Sequence, residues 1–282
     1  VVEMPEKGSR LQISLHTDRG LVRKNNEDSS LAVPPWHEPA ISAGACLFAV
    51  ADGMGGHAAG EVASGLATAT LKTWLSSQRS DRAAGPAEVE SAFLEANFAI
   101  WEYVKKHADC QGMGTTLTAG FISDNRMILC HVGDSRVYLL RGGELKQLTT
   151  DHTLVAEQVR AGKLDAVAAR CHPARHILSR ALGVREFISV DTVILELTAG
   201  DALLFCSDGI YGPVSDDNIR EELARRPFGG TAKRLVDLAC KGGGPDNATA
   251  VAVLIDELPI TYPGRYSWRR FRSMLGEWGI LG

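Results

Sequence analysis

Four aspartates, far apart in a chain of 282 residues, each stand beside glycine at the end of an apolar run. Val50-Ala51-Asp52-Gly53 closes one run, and Cys206-Ser207-Asp208-Gly209 closes another. Gly133-Asp134-Ser135 lies between two more, and Gly244-Pro245-Asp246-Asn247 immediately precedes the last. Short unbroken apolar runs read as strands buried on both faces, and glycine lets a backbone bend or approach without a Cβ clash. One Asp-Gly pair is ordinary turn chemistry. Four at strand ends constrain the fold: if those ends meet at one sheet edge, they concentrate negative charge that cations must neutralise. Donors that are all oxygen, without Cys or paired His, suit Mg2+ or Mn2+ rather than Zn2+.

Composition narrows the partners. Thirty Lys+Arg against 34 Asp+Glu give a net charge of −4, a poor match for nucleic acid, which selects a basic face. With 45% hydrophobic residues the chain can bury a proper core. No apolar stretch approaches the roughly 18 residues of a membrane span, and residues 1–10 show no signal-like apolar region. The expectation is a cytoplasmic chain with no nucleic-acid partner and no transmembrane segment. Its six cysteines are scattered without metal-ligand spacing. Cys171 alone has a tempting setting, Arg170-Cys171-His172, but lacks the glycine-containing phosphate loop of a cysteine-dependent phosphatase. All six read as structural or incidental thiols of a reducing compartment.

Periodicity predicts strands at 11–17, 29–33, 45–50, 115–123, 127–132, 136–140, 187–197, 202–206 and 248–255. Helices are predicted at 57–79, 87–108, 153–161, 215–225 and 231–240, with a glycine hairpin turn at 141–144 and a polar excursion over 162–183. Hairpin-rich blocks with helices arriving in pairs imply antiparallel sheets flanked by helices, an α+β fold, rather than alternating βαβ units.

A second polar cluster, Asp18-x-Gly20-x-x-Arg23-x-x-Asn26-Glu27-Asp28, adds a phosphate-pairing guanidinium in Arg23. Glu27 and Asp28 are candidates to hold metal-bound waters; the plainer reading of this run is a solvated charged loop. Taken in order, T-D-R-G-L-V-R-K-N-N-E-D (17–28), V-A-D-G-M-G-G-H (50–57), G-T-T (114–116), G-D-S-R (133–136), D-H (151–152), S-R-A-L-G (179–183), G-D-x-L-L-F-C-S-D-G (200–209) and G-P-D-N-A-T (244–249) resemble the metal-dependent protein phosphatases. These are the type 2C serine/threonine phosphatases, and the match is to their bacterial branch.

The resemblance implies a four-layer αββα sandwich of two antiparallel sheets, with a metal centre at one end. It implies a phosphatase domain over 11–256, an extension at 1–10 and a partly helical extension at 257–282. Asp52 is expected to bridge two Mn2+ or Mg2+ ions, with the Gly53 carbonyl on the second. Asp208 and Asp246 complete the first ion's shell, and Glu27 acts on the second through water. Asp134 with Asp208 would hold a third ion. Arg23 takes the substrate phosphate, and Asp28, His57 and Asn247 support the site. The implied reaction is hydrolysis of phosphoserine or phosphothreonine by a metal-bridging hydroxide, reversing a serine/threonine kinase.

Relatives often place His where Met54 stands, so leaving-group protonation falls to a metal-bound water, Asp28, His57 or His152. His57, at a helix start, reads equally as an ordering residue. A catalytically weak scaffold of the same fold is the alternative function, although pseudoenzymes typically lose metal carboxylates and all are present here. A small phosphorylated metabolite is a third substrate class. Arg175 and Arg180 in the 162–183 excursion are placed to meet a phosphoprotein. In the tail, Trp268, Phe271, Leu275 and Trp278 follow helical spacing, which suits docking on the chain's own domain, a partner or a membrane surface.

Overall fold

Alternation of side chains along the apolar strands sorts them into layers. In β3 (Ala45–Met54), Leu47, Ala49 and Ala51 face helices, while Cys46, Phe48 and Val50 face a second sheet. In β11 (Ala248–Ile255), Ala250 and Ala252 face helices, while Val251 and Val253 meet the layer containing Phe48 and Val50. Both faces of these strands are buried, which is why the runs are apolar without interruption. The computed structural model describes residues 11–33, 45–55, 59–78, 83–165, 168–169 and 172–258.

One sheet has the order β1 (Leu11–Asp18), β11, β10 (Ala202–Cys206), β7 (Arg136–Arg141) and β8 (Glu144–Gln147). The other runs β2 (Asp28–Val33), β3, β5 (Leu117–Ser123), β6 (Arg126–Val132) and β9 (Asp191–Glu196), with the short β4 (Gly114–Thr115) on the end of β3. Neighbouring strands pair antiparallel throughout. Helices α1 (Ala59–Ser77) and α2 (Pro86–Lys106) cover the second sheet. Helices α4 (Asp208–Tyr211), α5 (Asp216–Ala224) and α6 (Thr231–Lys241) cover the first; α3 (Leu154–Arg160) follows β8. The expected αββα sandwich is what forms. Phe48 and Phe205 meet between the sheets with ring centroids 6.3 Å apart. Truncating either to Ala is worth about 3–5 kcal/mol.

Several expectations need correction. The strand expected from 187 begins at Asp191, because the segment before it is tied to α2 instead: Asn97 Nδ2 donates to the carbonyls of Arg185 and Glu186. The expected strand 115–123 splits at Thr116, where pairing passes from the end of β3 at Gly53 and Met54 to its body. The helix expected to reach 108 stops at Lys106 and gives way to a 3-10 turn. Strand β8 and helix α4 had no strong periodic signal, being only four residues each. Asp28 is not in a solvated loop: it opens β2, opposite Asp52. Cys110, Cys130, Cys206 and Cys240 are free thiols; Cys171, residues 1–10, His57 and the 259–282 part of the tail lie outside the described residues. Among those described, no helix is long and apolar enough to cross a membrane.

Candidate metal centre

The alternation that puts Phe48 and Val50 between the sheets puts Asp52 next in the same row. The same parity takes β2 back to Asp28, β5 back to Thr118 and Thr116, and β10 on to Ser207. One end of the inter-sheet layer is therefore polar, and it is where the apolar runs give out. Asp28 and Asp52 are direct cross-strand neighbours. Like charges opposite each other destabilise a sheet, so this pair needs compensation.

Asp52 is fixed by its backbone. Its N–H donates to Thr116 Oγ1 at 2.9 Å, and its carbonyl accepts from the Thr116 N–H and the Thr115 hydroxyl, both at 2.9 Å. Thr116 Oγ1 lies 2.7 Å from Ser135 Oγ, which ties Asp52 to the turn carrying Asp134. Gly53 donates its N–H to the Glu27 carbonyl at 3.1 Å, and that carbonyl also accepts from Ser64 on α1 at 2.6 Å. A Cβ on Gly53 would strike the carbonyls of Gly60 and Glu27, so glycine here lets α1 and the Glu27 turn close directly on the strand.

Asn247 holds the N-terminal cluster to the strand end. Its Oδ1 accepts from the Glu27 N–H at 2.8 Å, and its Nδ2 donates to the carbonyls of Arg19 and Asn25 at 2.8 and 2.9 Å. Buried at 5% exposure, this amide is satisfied across a loop more than 200 positions away in sequence. The result brings Arg23 to Asp246, Nη2 to Oδ2 at 2.6 Å. Asp28 Oδ2 accepts from Ser207 at 2.7 Å; since Ser207 Oγ itself accepts from the Thr249 N–H, its proton is directed at the carboxylate.

Asp134 and Asp208 are placed from the other side. Tyr211 on α4 donates its hydroxyl to the Asp134 carbonyl at 3.0 Å, and the Arg136 guanidinium stacks 3.7 Å above the Tyr211 ring. Arg136 is itself held bidentately by Asp151. His152 is fully buried; its Nδ1 accepts from the Gly133 N–H at 3.0 Å, so the proton sits on Nε2, which donates to Asp191 at 3.1 Å. Burial lowers its pKa, so it is a neutral brace of the Gly133–Ser135 turn and not a proton donor to substrate. Arg180 pairs with Asp191 at 2.6 Å, which gives it a structural occupation; Arg175 remains exposed. From the 172–183 segment His176 Nδ1 reaches within 3.5 Å of Asp208 Oδ2.

Burial and mutual repulsion show in the titration of the cluster. Asp52 is pushed well above the usual carboxylate range, first by burial and then by the charges of Asp28, Asp208, Asp134 and Asp246. Burial pushes Asp28 to about 7 and Asp134 well above its ordinary value; Glu27 is raised by burial against the opposing pull of Arg23. Two carboxylate oxygens, Asp28 Oδ1 and Asp208 Oδ1, are buried without any hydrogen-bond partner. Buried acceptors are rarely orphaned, and with an all-carboxylate neighbourhood the missing partner that fits is a hard divalent cation. Among the described residues no three His, Cys, Asp or Glu side chains already close into a ligand shell. Asp246 is turned to Arg23, and Asp208 to His176.

The structure thus brings together Arg23, Glu27, Asp28, Asp52, Gly53, Asp134, Asp208, Asp246 and Asn247. Sequence reasoning missed Ser207, Thr116, Ser135, Tyr211 and His176 as their supports. Ser207, Thr116 and Ser135 left a signal, because parity with the neighbouring strand puts each at the polar end of the inter-sheet layer; Tyr211, in α4, and His176 left none.

Comparison with known proteins gives the same frame. A family model described as Protein phosphatase 2C matches residues 26–237. The chain is 45% identical over 243 residues to the serine/threonine protein phosphatase PstP of Mycobacterium tuberculosis, covering 86% of this chain and 44% of PstP. It therefore spans less than half the length of that relative. It is 36% identical over 258 residues to the serine/threonine phosphatase stp of Listeria monocytogenes, covering 90% of this chain and 99% of stp. The crystal structure of the PstP catalytic domain in complex with two manganese ions superposes with a TM-score of 0.76 at 42% identity, over 88% of this chain and 99% of that one.

Proposed function

The chain belongs to the protein phosphatase 2C family, and from that premise we propose that it is a metal-dependent phosphatase of phosphoserine and phosphothreonine in proteins. The observation that carries the reading is the orphaned, mutually repelling carboxylate cluster at one end of the inter-sheet layer. Asp52, Asp208 and Asp246 are the proposed ligands of two Mn2+ or Mg2+ ions, with the Gly53 carbonyl and, through water, Glu27. Asp134 with Asp208 forms a third site. When bound, the cations acidify water and offset charge on the phosphoryl group.

The chain's own residues supply the rest. Arg23, half exposed and already paired with a carboxylate oxygen, exchanges Asp246 for a phosphate oxygen when substrate arrives. Asn247 and Gly53 hold the Glu27 turn against β3 so that Glu27 and Asp52 keep a fixed separation. Asp28, which accepts from the Ser207 hydroxyl, stands directly across the strand pair from Asp52 and is one of the buried acids that hold a proton more firmly in the metal-free site. The proposed domain covers 11–256, and its substrates are the products of a cytoplasmic serine/threonine kinase. A binding-only scaffold is disfavoured because no metal carboxylate has been replaced.

The test is Mn2+-dependent release of phosphate from a phosphothreonine peptide. Turnover by the native chain, abolished by chelation and by Asp208→Ala, is expected. No turnover, or turnover untouched by Asp208→Ala, overturns the assignment.

A further inference from the structure

Two segments unrelated in sequence reach the carboxylate cluster, and each presents exposed aliphatic residues beside its contact. Arg23, on Asp246, is preceded by Leu21 and Val22, each 69% exposed. His176, on Asp208, is followed by Ile177 at 51%. Scattered exposed aliphatics need no explanation, but Leu21, next to Val22, and Ile177 share a second property: their backbones are pinned. The Leu21 N–H donates to the Gly244 carbonyl at 2.8 Å. The turn before it is locked by a Gly20 N–H to Asp18 Oδ1 bond of 2.8 Å and a Gly20 φ of +76°, where a Cβ would strike the Asp246 carbonyl. Ile177 donates its N–H to Ala174 at 3.1 Å and accepts at its carbonyl from Leu154 at 2.9 Å. Fixed main chain with free aliphatic side chains is a preorganised surface, because a ligand covering it orders only side chains.

We propose that Leu21, Val22 and Ile177 receive the aliphatic side chains that flank the phosphorylated residue of the substrate. The inference rests on the phosphoprotein reading above and specifies its substrate class. Continuity carries it: each aliphatic group is one or two residues from a side chain already touching the carboxylate cluster. A peptide whose phosphate meets Arg23 brings its neighbouring residues to the segments that flank the cluster, which carry these positions. Contacts made equally to bound substrate and transition state act through KM. Covering one or two aliphatic groups corresponds to about tenfold in kcat/KM.

The experiment uses the full chain with Mn2+ and two phosphothreonine peptides of equal charge, one with Leu on both sides of the phosphoresidue and one with Asn. A preference of about tenfold for the Leu peptide, carried mainly by KM, is expected. Val22→Asn and Ile177→Asn should each reduce the preference severalfold while leaving hydrolysis of para-nitrophenyl phosphate, which has no flanks, unchanged. Equal kcat/KM for the two peptides, or an undiminished preference in both variants, overturns this inference and leaves the phosphatase reading intact. Hydrolysis of neither peptide alongside hydrolysis of para-nitrophenyl phosphate overturns the phosphoprotein reading and this inference with it.

Discussion

Strand β10 carries an aspartate near each end, and the two have opposite circumstances. Asp201, just before the strand, is 1% exposed, and its carboxylate is fully occupied: Arg141 forks onto both oxygens at 2.7 and 2.6 Å, and Thr198 donates its N–H and hydroxyl. Burial pushes its pKa upward, but Arg141 and Thr198 overcome that and hold the group below the ordinary carboxylate range. Asp208, just past the other end, has one buried oxygen with no partner and lies among four other acids. A carboxylate that closes a structure is surrounded by donors; one that waits for a cation is surrounded by other carboxylates. Residue type and strand position do not distinguish them. The neighbours do.

The sharpest contrast is catalytic. Asp208→Asn should lower kcat/KM on a phosphothreonine peptide by about 10^3-fold or more, the several kcal/mol that metal ligation supplies. Asp201→Asn should leave kcat/KM per folded molecule unchanged. Steady-state kinetics on both variants checks the pair, and comparable losses would erase the distinction. Next in size, Arg23→Ala should cost about 10^2-fold by removing a charge-assisted phosphate contact, with Arg23→Lys recovering only part because the bidentate fork is lost.

Stability should respond in the reverse order. Asp201→Asn leaves Arg141 and Thr198 donors short of a partner and should destabilise by about 2 kcal/mol in urea unfolding. Asp52→Asn in metal-free protein removes like-charge repulsion and should be neutral or stabilising by about 1 kcal/mol.

The pH profile of metal-free protein separates the two ends by sign. Asp28, Asp52 and Asp134 hold protons more firmly folded than unfolded. Above about pH 4 the unfolded chain releases those protons first, so metal-free stability should fall steadily as pH rises toward 8. Asp201, held below the ordinary range, contributes stability that is present above about pH 4 and lost as pH falls through its lowered folded value. Melting curves from pH 3 to 8 should therefore show a neutral limb that Asp52→Asn flattens and an acid limb that Asp201→Asn flattens.

What the sequence made legible divides along the same line. The row Cys46, Phe48, Val50, Asp52 can be read from period-2 alternation alone, because alternation fixes which face each residue takes. That Asp52, Asp134, Asp208 and Asp246 lie at strand ends followed from where the apolar runs stop. What stayed hidden depends on contacts between distant segments. Asn247 gives no hint that its amide spans Arg19, Asn25 and Glu27. The sequence offers His152 as a candidate acid, but Gly133 and Asp191 occupy both of its ring nitrogens. Asp28 sat in a run that reads as a charged loop, and only its register against Asp52 makes it a strand residue.

The polar end of the inter-sheet layer is proposed as a divalent-cation centre. Calorimetric titration of the metal-free chain with Mn2+ at pH 7.5 tests that directly. Binding of two or more ions per chain with release of protons, and loss of at least one of them in Asp208→Asn, is the predicted result. No binding to the native chain, or an unchanged stoichiometry and affinity in the variant, would contradict it.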